Sequence, residues 1–115
     1  MSDYYIKGIM LKNCSYSIRA EQLLSLHNIK HKLTWIDSNM KDIYITNQID
    51  TFPQIYLKKY NSNQNLLLGG CDDLAEFITT FKFQKINEND INTFMNKYKW
   101  SKKASLRLIQ LINTK

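Results

Sequence analysis

Apolar positions along this chain change period several times, and each change marks an element. Residues 4–11, YYIKGIML, are rich in aromatic and β-branched types and predict a strand. From Tyr16 the spacing turns helical: Ile18, Leu23 and Leu26, with Ala20, Leu24 and His27, recur at three- and four-residue steps, and Asn28 is a fitting stop. Residues 31–36, HKLTWI, alternate as a second strand, and Ser38 serves as an N-cap for a short helix over 38–48. FPQIYLK at 52–58 and NLLLGG at 65–70 predict two strands joined by the polar turn KYNSNQ, which resembles a hairpin. CDDLAEFITTF at 71–81 places two aspartates where a helix N-terminus favours negative charge, and its stripe Leu74, Phe77, Ile78, Phe81 is helical. Ile91, Phe94, Met95 and Tyr98 mark another helix, and Ala104, Leu108, Leu111 and Ile112 mark a last one.

That order, β-α-β-α-β-β-α and then two further helices, predicts an α/β fold. A parallel βαβ unit followed by a hairpin and a covering helix gives a small mixed sheet with helices on both faces. Tyr4, Tyr5, Met10 and Trp35 are expected to pack against or within that sheet. Ligands in such sheets lie at the carboxyl ends of the strands. Cys14 falls just past the end of the first one.

Composition narrows the class. At 115 residues the chain has room for one domain, and 43% hydrophobic with 23% charged residues is ordinary for a soluble globular protein. No window approaches the roughly 20 apolar residues that cross a bilayer. Asp3 stands where a signal peptide needs basic residues, so a cytoplasmic location is expected. Many Asn, Ile and Lys suit an A+T-rich genome, such as that of a large DNA virus or a protist; for a virus, the location would be host cytoplasm or virion. Two Cys are fewer than a small secreted disulfide scaffold carries, and with two His they form no structural metal site at normal spacing. His27 and His31 flank a helix–strand turn and read as spacers.

The net charge of +6 is unevenly placed. Residues 1–84 hold nine Lys/Arg against eight Asp/Glu, whereas residues 85–115 hold seven against two. This predicts a nearly neutral domain over 1–84 and a basic helical extension over 85–115, packed on it or appended to it. Lys97, Lys99, Lys102, Lys103 and Arg107 surround Trp100, which reads either as a solvated face or as a docking element for an acidic partner.

A cysteine at a helix N-terminus faces unpaired backbone N–H groups and the positive end of the helix dipole. Both favour a thiolate and lower the pKa from about 8.5. Lys12 adds charge nearby, and the hydroxyls of Ser15 and Ser17 can donate to the sulfur. The alternative for Cys14 is a buried structural cysteine. Pro53, the one proline, sits in TFPQI at a strand start. A cis bond there would present the backbone of Phe52 to an extended thiol peptide; a trans bond would simply open an edge strand. In LGGCDD the N–H groups of Cys71 and Asp72 can receive a carboxylate, or the segment is an ordinary strand–turn–helix with acidic capping.

Together, C-x-Y-x at the end of the first strand, T-x-P before the third and G-G-C-D-D before the third helix resemble the glutaredoxin family over residues 4 to about 82. The resemblance implies a thioredoxin-like fold, with a four-stranded mixed sheet flanked by helices plus two extra C-terminal helices. It also implies glutathione-dependent thiol–disulfide exchange, a redox-active centre and electron transport to disulfides. Cys14 matches the nucleophile and Tyr16 the aromatic flanking glutathione. Thr51, Phe52 and Pro53 match the segment that holds the glutathione cysteine, and Gly70, Cys71 and Asp72 the turn that binds its γ-glutamyl end. The chain departs from the pattern in three ways. The family's basic residue usually lies three positions before the nucleophile, where this chain has Leu11; Lys12 is one closer. The segment before Thr51 is short, leaving Lys41 and Gln48 as candidates for the glycine carboxylate. Ser17 stands at the resolving-cysteine position, which leaves a monothiol cycle on glutathionylated proteins or small disulfides, with glutathione as co-substrate. Cys71 is expected to be packed and unreactive. The rival readings are a glutathione-ligated iron–sulfur carrier using Cys14, a transferase-like half-domain, and a non-catalytic glutathione-binding module.

Overall fold

The computed structural model describes residues 3–82 and 85–113. In chain order the strands and α-helices are β1 (Tyr4–Leu11), α1 (Ser15–Leu26), β2 (His31–Ile36), α2 (Lys41–Tyr44), β3 (Gln54–Lys59), β4 (Asn65–Gly69), α3 (Cys71–Phe81), α4 (Glu88–Tyr98) and α5 (Lys102–Asn113). The sheet order is β2-β1-β3-β4, parallel between β1 and β2 and antiparallel elsewhere. Parallel neighbours need a crossover, and α1 supplies it. Its end is set by Asn28 at φ 55, left-handed, where asparagine is tolerated. The division drawn at 84/85 falls at residues 83–84, which lie outside the described residues.

Strand alternation sends Ile6, Met10, Ile55, Leu57 and Leu68 into one core with Ala20 and Leu24 of α1 and Leu74, Phe77 and Ile78 of α3. Each Leu or Ile withdrawn fully from water contributes about 1.5–3 kcal/mol. The two C-terminal helices share that core. Phe94 of α4 meets Phe77 of α3 edge-on at 4.9 Å and Trp100 at 5.3 Å, and α5 buries Leu108, Ile109, Leu111 and Ile112. Lys82 closes the far end, donating to the carbonyls of His27 (3.0 Å) and Ile112 (2.7 Å).

Several expectations need correction. The helix over 38–48 is a 3-10 turn at Ser38–Met40 followed by the single turn of α2, and its cap position is Asp37 rather than Ser38. Ile43, Ile45 and Thr46 are β-branched. The Thr46 hydroxyl gives the Gln48 and Ile49 N–H groups a non-helical partner at 3.1 Å each. β3 begins at Gln54, because Pro53 has no N–H to give a ladder. In α1, Ile18 and Leu26 face solvent and the buried positions are Ser17, Ala20 and Leu24. Small residues on that face bring the helix close to the sheet.

Candidate active site

Leu11 ends β1, and Asn13 at φ 64 turns the chain so that the Cys14 N–H donates to the Leu11 carbonyl at 3.3 Å. Cys14 thereby becomes the N-cap of α1, in extended backbone, with its own carbonyl accepting the first helical bond from Ile18 at 3.0 Å. Its thiol is partly exposed. Burial pushes the Cys14 pKa up. That push is outweighed by the Ser17 N–H, the Ser17 hydroxyl, the Tyr16 N–H and the charge of Lys41, so the net direction is downward. No side-chain capping bond to the neutral thiol is made; the two N–H groups favour the charged form.

Ser17 has no exposed surface, and its oxygen accepts from the Leu11 N–H at 3.0 Å. The same hydroxyl therefore fixes the end of β1 and leaves its own proton to give to sulfur. Ser15 is exposed and does not figure among the groups that lower the thiol's pKa. Nor does Lys12, whose ammonium lies 3.4 Å from Asp37 in an exposed pair at the end of β2. The cation that acts on Cys14 is Lys41, at the start of α2, a role that sequence reasoning missed.

Beside this helix end lies an open cleft of about 830 Å³. Tyr16, 58% exposed, forms one wall; Thr51, Phe52 and Pro53 form the next, with the Phe52–Pro53 bond cis; Gly70, Cys71 and Asp72 close the third. Gln48 is on its rim, while Lys12 and Lys41 are not among its lining residues. The structure thus gathers Tyr16, Thr51, Phe52, Pro53, Gly70, Cys71 and Asp72 around one cleft; Cys14 and Ser17, at the helix end beside it, are not among its lining residues either.

The third wall is built by a capping arrangement at α3. Gly69 has φ 131, open only to glycine without strain, and a Cβ there would run into the Asp73 carboxylate. Asp73 accepts from the Gly70 N–H at 2.9 Å, half of a capping box, while its other oxygen accepts from the Tyr98 hydroxyl at 2.5 Å. Cys71, 3% exposed, has its pKa raised by burial first and by the charges of Asp72 and Cys14, against a lowering from Arg19. The pKa of one cysteine is thus shifted down and that of the other up.

Lys97, Tyr98, Lys99 and Trp100 line the same cleft, which no local pattern in the sequence announces. Trp100 is buried and its indole N–H donates to the Leu67 carbonyl at 3.1 Å, so the ring is part of the domain's packing. Two of the surrounding lysines have intramolecular partners: Lys97 lies 3.7 Å from Glu76 and Lys102 3.5 Å from Glu88. Among the described residues no helix is long and apolar enough to cross a membrane.

No protein-family model and no curated protein matches the chain. Among solved structures, glutaredoxin 1 from Francisella tularensis, in a crystal structure complexed with cacodylate, is similar over 66% of this chain and 93% of its own, at 23% identity and a TM-score of 0.50. A structure described as that of a malarial protein covers 84% of this chain and 98% of its own at 15% identity, but its TM-score of 0.32 carries no argument. What the first likeness shows is the architecture: a four-stranded mixed sheet with flanking helices, in a thioredoxin-like α/β fold shared with a glutaredoxin.

Proposed function

We propose that this protein is a glutathione-dependent thiol–disulfide oxidoreductase that acts on glutathione mixed disulfides through Cys14 alone. The observation that carries the reading is the pairing of a partly exposed, acid-shifted thiol at a helix N-terminus with a cleft walled by Tyr16, Thr51–Pro53 and Gly70–Asp72. The Cys14 thiolate attacks the glutathione sulfur of a mixed disulfide. A sulfur–sulfur bond forms to Cys14 as the bond to the substrate breaks, and the substrate leaves as its thiolate and takes a proton from water. A glutathione thiolate then attacks the glutathione sulfur on Cys14, giving glutathione disulfide and the free enzyme thiolate. In balance, one glutathione enters as thiol and leaves joined to the glutathionyl carried in, as glutathione disulfide, and one substrate thiol is restored. A depressed thiol pKa serves both halves, because it raises the thiolate fraction and makes Cys14 a better leaving group.

Ser17 removes the internal resolving step, and Cys71, buried with its proton held, offers no replacement. The redox unit in this reading is residues 1–84, working in a glutathione-rich compartment such as the cytoplasm, on glutathionylated proteins or small disulfides. From the extension, Lys97, Tyr98, Lys99 and Trp100 line its cleft. An iron–sulfur carrier would draw on the same Cys14 thiolate, and no observation here favours that reading over exchange.

The test is release of free thiol from a glutathionylated peptide in the presence of glutathione, with the enzyme adduct located by mass. The expected result is turnover with the glutathione adduct on Cys14 and none with Cys14→Ser. Turnover that survives Cys14→Ser, or an adduct confined to Cys71, overturns the proposal.

A further inference from the structure

The C-terminal helices do more than cover the core. α4 is capped by Lys99, whose left-handed backbone (φ 61) and N–H bond to the Met95 carbonyl at 2.9 Å turn the chain back toward the sheet. Trp100 then anchors that turn on the carbonyl of Leu67 in β4, an edge strand. Tyr98 is caught between these two fixtures. Its ring lies 4.6 Å from Phe94, and its hydroxyl reaches across to Asp73, at the third position of α3. Asp73 thus holds two donors, one per oxygen: the Gly70 N–H and the Tyr98 hydroxyl.

That arrangement bears on ligand binding at the α3 N-terminus. An ionised Asp73 left to swing beside Cys71 and Asp72 would repel an arriving carboxylate and compete for the same N–H groups. Tied on both oxygens, it satisfies Gly70 and leaves the next two N–H groups to a ligand. Burial first, and then the hydrogen bond to Asp73, push the Tyr98 pKa up, which favours the protonated hydroxyl that this tie needs.

We infer that Tyr98 is a positioning residue for this cleft, acting through Asp73 to hold the Gly70–Asp72 turn in the form that receives the γ-glutamyl end of glutathione. The inference rests on the proposed function. It makes residues 97–100 of the extension a working part of the site.

The experiment is steady-state kinetics of the full chain on a glutathionylated peptide, comparing wild type, Tyr98→Phe, Asp73→Asn and the double variant. Phenylalanine keeps the ring against Phe94 and removes only the donor. The expected result is a KM raised about three- to tenfold with kcat within about twofold, the pattern of an interaction made equally in ground and transition states. The rate of Cys14 alkylation should not change. Because both substitutions break one link, the double variant should show the KM of Asp73→Asn alone, with no further loss. A purely structural Tyr98 would instead lower the melting temperature and leave KM untouched, which overturns the inference; so would additive effects in the double variant. Should Tyr98→Phe fail to fold, Asp73→Asn alone decides the matter, and an unchanged KM sinks the idea. A wild-type protein without glutathione-linked turnover sinks the proposed function and takes this inference with it. Turnover in wild type with wild-type KM in Tyr98→Phe sinks this inference alone.

Discussion

Cys14 and Cys71 occupy the same kind of place, the first residues of a helix that follows a strand, and the structure treats them in opposite ways. Cys14 is the N-cap of α1, in a first turn without acidic residues, where N–H groups, a buried hydroxyl and Lys41 outweigh the cost of burial. Cys71 is one residue further in at α3, almost wholly buried, with Asp72 and Asp73 in the same turn. A helix dipole therefore does not make a thiolate by itself. The sulfur must keep some water and meet donors, and the charges around it must not already be negative.

The largest effect expected from this contrast is on turnover. Cys14→Ser should lower deglutathionylation on the order of a thousandfold, since no other group can carry the bond, whereas Cys71→Ser should leave kcat within about twofold. Next comes Gly69→Ala. At φ 131, with the Asp73 carboxylate in the way, it should cost about 1–3 kcal/mol in a denaturation experiment and raise KM for the glutathionylated peptide. Wild-type stability with a wild-type KM would mean that the turn is not held as described.

Ser17→Ala tests the other cysteine's surroundings. It deprives Cys14 of a donor and the Leu11 N–H of its acceptor, so the midpoint of Cys14 alkylation should rise and stability should fall by about 1–3 kcal/mol. Lys41→Gln should raise the same midpoint by less, and added salt should mimic it in the wild type, because the lysine is exposed and its field is screened. The smallest effect concerns stability against pH, and the two thiols contribute with opposite signs. Cys14, lowered on folding, stabilises above the unfolded cysteine value, and that contribution is lost as pH falls through its folded value. Cys71, raised on folding, stabilises fully below the unfolded value, and its contribution is lost as pH rises through its folded one. Alkaline loss of stability should therefore be shallower in Cys71→Ala than in wild type.

Much of the framework was legible in the sequence because it is local. The aromatic and β-branched richness of YYIKGIML, the alternation in HKLTWI and the stripe Leu74, Phe77, Ile78, Phe81 predict strands and a helix at the observed places. Tyr16 of N-C-S-Y-S, the T-F-P segment and the G-G-C-D-D turn, singled out in the sequence, line one cleft in the structure. What could not be read was long-range. Nothing near Lys41 says that its charge reaches Cys14, and Lys12, closer in sequence, turns to Asp37. Tyr98 lies 25 residues from Asp73, on a helix whose apolar spacing explains its burial without any reference to the cleft. The short second helix failed for a local reason of a subtler kind: a threonine hydroxyl can capture two N–H groups that helical periodicity assigns to carbonyls.

The most direct measurement of the central claim is a pH titration of iodoacetamide labelling on the folded full chain, with Cys14 and Cys71 resolved by peptide mass. Cys14 should label with a midpoint below that of a free cysteine, and Cys71 should stay unlabelled over the same range. A Cys14 midpoint at or above the free value, or parallel labelling of the two residues, would contradict the account.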